Sequence, residues 1–164
     1  MKHWWKILAV ILVLYTIIFG FLIEVPALPI LHESIRNLFF HVTMWFSMII
    51  LCGVSWVYSI MFLNTGKTDH DIIASESANV GIMFGSIGIL TGMIWAKFTW
   101  GAPWVNDPKL NGTAITMLIY LAYFVLRNSM DEEQKRAKVS SVYNIFAFIL
   151  LIVFLYILPR MTDS

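Results

Sequence analysis

The sequence predicts an all-α integral membrane protein with five transmembrane helices, and three observations carry that expectation. Of its 164 residues 59% are hydrophobic and only 13% charged, and the mean hydropathy of +0.77 is too apolar for a soluble domain. Five apolar runs reach the roughly 20 residues that crossing about 30 Å of hydrocarbon requires. The segments between them are short and polar and leave no stretch for a separate globular domain, so residues 1–164 are expected to form one membrane domain. A net charge of +1 offers no basic face to nucleic acid, leaving the lipid bilayer as the main environment.

The first span is expected over residues 5–23. Basic residues before an apolar core also fit a signal peptide, but Phe21-Leu-Ile-Glu-Val-Pro26 offers no small-residue cleavage site, so the segment reads as a retained anchor. Residues 24–37, with Pro26, Pro29, His32, Glu33 and Arg36, form a loop with room for a short amphipathic turn. The second span, 38–63, opens with Phe39-Phe40-His41. After a polar connection at 64–71, the third span covers 72–95. Its Gly81, Gly85, Gly88 and Gly92 make two small-x-x-x-small pairs that let a neighbouring backbone approach closely. Glu76 near its start reads as a solvated helix end. Residues 95–111 read as a non-helical connection. Asp107-Pro108 then has the form of an N-cap followed by proline at the first helical position, which starts the fourth span, 108–127. A charged run, 128–138, precedes the fifth span, 139–158, and a stub to Ser164.

Lysine and arginine collect on the cytoplasmic side of short loops. Lys2, Lys6, Lys67, Arg127, Lys135, Arg136 and Lys138 share one side, and Arg36, Lys97, Lys109 and Arg160 the other. Seven against four puts the N-terminus in the cytoplasm and the 95–111 loop, the His32/His41 region and the C-terminal stub outside, which in a Gram-negative cell is the periplasm.

Chemistry concentrates in that outer loop, where Trp95, Trp100 and Trp104 crowd around Gly101 and Pro103. Interfacial tryptophans form belts without any ligand. Three indoles with turn formers between them equally suit a platform for a flat apolar ligand. Lys97 and Lys109 either snorkel to the interface or meet acidic groups of a ligand beside the positive end of the fourth helix. His41 is either an ordinary interfacial residue or a metal ligand, with Trp45 one turn along its face. The single cysteine, Cys52, can build neither a disulfide nor a zinc site, and no Cys-x-x-Cys-His sequence exists to attach haem covalently. No nucleophile–base pair, P-loop or carboxylate pair can be assembled, so the chain is expected to be a carrier and not an enzyme.

Trp100-Gly-Ala-Pro-Trp104-Val-Asn-Asp107-Pro-Lys-Leu110 resembles the tryptophan-rich signature, Trp-Gly-x-Trp-Trp-x-Trp-Asp-x-Arg-Leu, of the haem-handling membrane proteins of cytochrome c maturation. Leu38-Phe-Phe-His41-Val-Thr-Met-Trp45 resembles that family's first outer histidine and its helix, and Gly92-Met-Ile-Trp95-Ala-Lys97 its lead into the signature. These blocks agree in order and spacing over residues 36–127. Within the family the likeness is to the short haem exporter C group, not to the much longer synthetase members. The resemblance implies a b-type, non-covalent haem held by the tryptophan loop, with His41 as an iron ligand. It implies delivery to a periplasmic haem chaperone alongside other cytochrome c maturation subunits of the inner membrane. Trp100, Gly101, Trp104 and Asp107 match the signature, and Lys109 stands where the family often has arginine. Pro103 and Asn106 replace signature tryptophans. The family's second histidine and sixth span would lie beyond Ser164, so the sequence is expected to be a truncated form; His32, Met161 or a partner's residue are the alternatives for the second iron position. Two other classes fit the residues without the resemblance: a structural helix-packing subunit of a transporter complex, and a small-molecule permease, which the want of a broken helix or midplane polar path disfavours.

Overall fold

A computed structural model describes residues 3–26, 28–29 and 31–162. Lys2, used above to orient the chain, and the last two residues of the stub lie outside the described residues. Five helices are present: α1 (Trp4–Leu22), α2 (Leu38–Thr65), α3 (Thr68–Trp100), α4 (Pro108–Asn128) and α5 (Glu133–Ile152). A 3-10 turn (His32–Asn37) leads into α2, and α5 continues through a π-turn (Val153–Ile157) into a final helical turn (Leu158–Met161). All five are long and apolar enough to cross a membrane, and no strand occurs among the described residues. The expected all-α, five-span architecture is therefore what is found.

The differences lie at the helix ends. Residues 95–100, expected to be non-helical, belong to α3. The helix closes only at Gly101, whose φ of 80° is the left-handed conformation and whose N–H donates to Lys97 O at 3.1 Å. The polar connection at 64–71 shrinks to Gly66 and Lys67. Gly66, at φ 66°, ends α2 with its N–H on Phe62 O, and Asp69 and Asp71 enter the first turn of α3, where acidic groups suit the positive end of the helix. The charged run forms the first turns of α5 from Glu133, because Glu, Gln, Lys, Arg and Ala are good helix formers whether or not they are apolar. The 158 boundary is passed as well. Pro159 has no N–H for the Leu155 carbonyl and its ring crowds that position, and the helix widens into the π-turn just ahead of it.

The N-cap reading of Asp107 holds: its Oδ1 accepts from Lys109 N at 2.8 Å and Leu110 N at 3.2 Å, with Pro108 at N1. That cap fixes where the loop re-enters the bundle.

Close packing of α2 on α3 runs along the glycine stripe. A Cβ on Gly81 would lie 3.1 Å from Cys52 Sγ, on Gly85 2.7 Å from Met48 Sδ, on Gly88 2.9 Å from Trp45 Cε2, and on Gly92 2.7 Å from His41 Cε1. Between lipid-soluble helices this close fit replaces the hydrophobic effect as the source of association. Helix α5 packs between α2 and α4. Helix α1 is exposed along its length apart from Gly20, which is covered by the Phe40 ring. Arg36 secures its end by donating to Gly20 O at 3.3 Å and to Ile23 O.

Candidate functional site

The end of the bundle that carries residues 101–107 contains a cavity of about 800 Å³, within the size range of small-molecule and cofactor sites. Helix α2 contributes His41, Trp45 and Ile49 to its wall; α3 contributes Gly88, Gly92, Met93, Trp95, Ala96, Thr99 and Trp100. Trp104 and Asp107 come from the loop, Lys109, Leu110 and Thr113 from α4, and Leu155 and Tyr156 from the π-turn.

His41 is held in one orientation. Its Nδ1 lies 3.0 Å from Gly88 O and 3.2 Å from Thr91 Oγ1. A carbonyl only accepts, so Nδ1 carries the proton, and Nε2 keeps the lone pair with which a neutral imidazole binds a metal. The indoles of Trp45 and Trp95 are both steeply inclined to the ring, at 75° and 72°, with centroids 6.1 and 5.9 Å away. Trp95 is itself fixed, its Nε1–H donating to Ser34 Oγ at 3.2 Å. Gly88 and Gly92 give the Trp45 and His41 rings the space a side chain would take. The glycines that pack the helices thus also seat the site.

The loop is braced from within. Trp104 Nε1–H donates to Asn111 Oδ1 at 3.3 Å, and Asn111 Nδ2–H donates to Asn106 Oδ1 at 2.8 Å. Asn106, which replaces a signature tryptophan, therefore ties the loop to α4 where an indole would have added stacking surface. Lys109 brings an ammonium to the mouth beside the positive end of α4. The two ion pairs among the described residues, Arg36–Glu33 and Arg127–Asp71, do not involve it.

Of the residues singled out from the sequence, His41, Trp95, Trp100, Trp104, Asp107 and Lys109 share this cavity. Two do not line it. Gly101 shapes the turn that ends α3, and Lys97 is exposed on a face of α3 shared with Ile94 and Phe98, directed away from the cavity. Of the alternatives for a second iron position, His32 and the 76%-exposed Met161 stand outside the lining. Sequence reasoning missed Tyr156, Thr113 and the Thr91 and Ser34 brackets. Thr91 and Ser34 had no signal in the sequence, whereas Tyr156 could have been reached from Pro159, which foretells an irregular turn ahead of it.

A sequence profile described as "Heme exporter protein C" matches residues 1–158. The Heme exporter protein C of Bradyrhizobium diazoefficiens is 31% identical over 114 residues, covering 66% of this chain and 41% of that protein. That of Paracoccus denitrificans is 28% identical over 109 residues, 66% of this chain and 45% of the other. The cytochrome c biogenesis protein CcsA of Pelargonium hortorum is 34% identical over 95 residues, 57% and 30% respectively. The chain spans less than half the length of each of these relatives.

Proposed function

Because the chain belongs to the haem exporter protein C family, we propose that it works in cytochrome c biogenesis as a multi-pass inner-membrane carrier. It holds b-type haem non-covalently at the periplasmic face and passes it to a periplasmic haem chaperone alongside other cytochrome c maturation subunits. The observation that carries the reading is His41: an imidazole with Nδ1 bonded to Gly88 O, leaving Nε2 as a free donor in an aromatic cavity of about 800 Å³. A single imidazole would suit an iron that a macrocycle already holds.

Haem supplies an iron that takes axial ligands and a flat apolar ring with two carboxylates at one edge. The residues here match those parts. His41 would offer a nitrogen to the iron, Trp95, Trp100 and Trp104 apolar surface to the ring, and Lys109 with the start of α4 positive charge to the carboxylates. Asp107 positions the loop through its cap, and Gly101 permits the turn. Lys97 is assigned to the interface, outside the cavity.

Titrating the detergent-solubilised chain with haem tests the proposal. A saturable, shifted Soret band is expected for the unsubstituted chain. His41→Ala should alter the position of that band and weaken binding at least tenfold; an unaltered band in His41→Ala would sink His41 as ligand.

A further inference from the structure

The cavity wall formed by the π-turn has an unusual construction. Gly112 on α4 is buried, and a Cβ there would lie 2.5 Å from Phe154 O and 3.2 Å from Phe154 C, both backbone atoms that cannot step aside. Only glycine at this position lets the π-turn settle against α4. The π-turn inserts one extra residue per turn and so shifts the register of everything after it. Its Leu155 and Tyr156 line the cavity, and Tyr156 is the only polar residue that α5 and its continuation contribute among the described residues. The Tyr156 hydroxyl has no hydrogen-bond partner among them. Gly112 sits beside Thr113 and one turn from Lys109, both of which line the same cavity. The notch therefore docks the π-turn on the part of α4 that brings the cation.

We infer that Tyr156 is a carboxylate-recognition residue of the cavity: its phenol donates a hydrogen bond to the propionate edge of the bound porphyrin that Lys109 attracts, and Gly112 sets its position through the π-turn. This rests on the haem-carrier reading and adds a residue and a chemical specificity to it.

The test compares haem with its dimethyl ester, which keeps the ring and the iron and removes both carboxylate charges, in titrations of the full chain in detergent. Tyr156→Phe, which keeps the aromatic ring, should weaken haem binding about tenfold, the size of one hydrogen bond to a charged acceptor, with the Soret maximum unmoved. Binding of the diester should be the same with and without the hydroxyl. Lys109→Gln should show the same carboxylate dependence, and Gly112→Ala should reproduce the Tyr156→Phe loss without removing a polar group. A Tyr156→Phe loss of equal size for the diester, a moved Soret maximum, or no loss at all overturns the inference while His41 keeps its role. Failure of the unsubstituted chain to bind haem overturns both.

Discussion

The His41 ring shows how little freedom a side chain needs before its chemistry is set. The Gly88 carbonyl fixes the tautomer, two T-shaped indole contacts restrain the plane, and Gly92 supplies the space at Cε1. A methyl group added at Gly92 would stand 2.7 Å from Cε1, and the ring cannot retreat without stretching its Nδ1 bond. Gly92→Ala is therefore expected to cost about 1–3 kcal/mol of overpacking and to weaken haem binding roughly tenfold, although no polar group is removed. Gly85→Ala makes an equally close contact, 2.7 Å to Met48 Sδ and 2.9 Å to Met117 Sδ. Those are the ends of flexible thioether chains that can turn aside. That variant should bind haem as the unsubstituted chain does, and the pair of titrations separates crowding of the ligand from crowding in general.

Among the elements, the polar side chains inside the bundle decide which helices stay together. Asn144 on α5 gives its amide hydrogens to Ser55 Oγ at 2.7 Å and Ser59 Oγ at 2.8 Å on α2, and Ser55 donates in turn to Ala74 O on α3 at 2.6 Å. Asp71 of α3 and Arg127 of α4 close a two-pronged pair of 2.8 and 2.6 Å, with the carboxylate side chain only 4% exposed. Removing one partner leaves the other's charge buried. Asp71→Ala is expected to destabilise by about 3–5 kcal/mol, seen as a lower thermal midpoint in detergent, and adding Arg127→Met should restore much of it. A double variant as unstable as the single would show that the loss is not one of charge pairing. None of these pairings is legible in the sequence, where Arg127 counts only toward orientation and Asp71 falls in the polar connection at 64–71. The spans themselves were legible because apolar length is a local property. Their ends were not, because good helix formers such as those of 133–138 carry α5 past the apolar segment, and a single left-handed glycine ends α3 five residues beyond the expected boundary. The site divides in the same way: the signature residues and His41 stand out by type and spacing, while Tyr156 enters the cavity through a change of helical register.

For the whole molecule, the two ends of the bundle differ in their number of lysines and arginines, and the proposed orientation follows from that difference. Lys6, Lys67, Arg127, Lys135, Arg136 and Lys138 lie at the end opposite the tryptophan loop, and Arg36, Lys97, Lys109 and Arg160 at the loop end. Ion pairing removes one cation from each end, Arg127 by Asp71 and Arg36 by Glu33, so the excess at the opposite end survives. In the proposed orientation, which follows the positive-inside preference, that end is cytoplasmic and the cavity opens to the periplasm. The proposed acceptor would then reach Trp100 and Trp104, 57% and 38% exposed, without crossing the bilayer. Cysteine labelling checks this orientation directly, because Cys52 is fully buried and silent to a membrane-impermeant maleimide. Pro103→Cys in the loop and Asp131→Cys between α4 and α5 each place a thiol at an exposed position. In intact Gram-negative cells the first should be labelled, and the second only once the inner membrane is permeabilised. The opposite pattern would turn the cavity toward the cytoplasm and remove the periplasmic acceptor from the proposed function, while leaving the haem titrations of the isolated chain untouched.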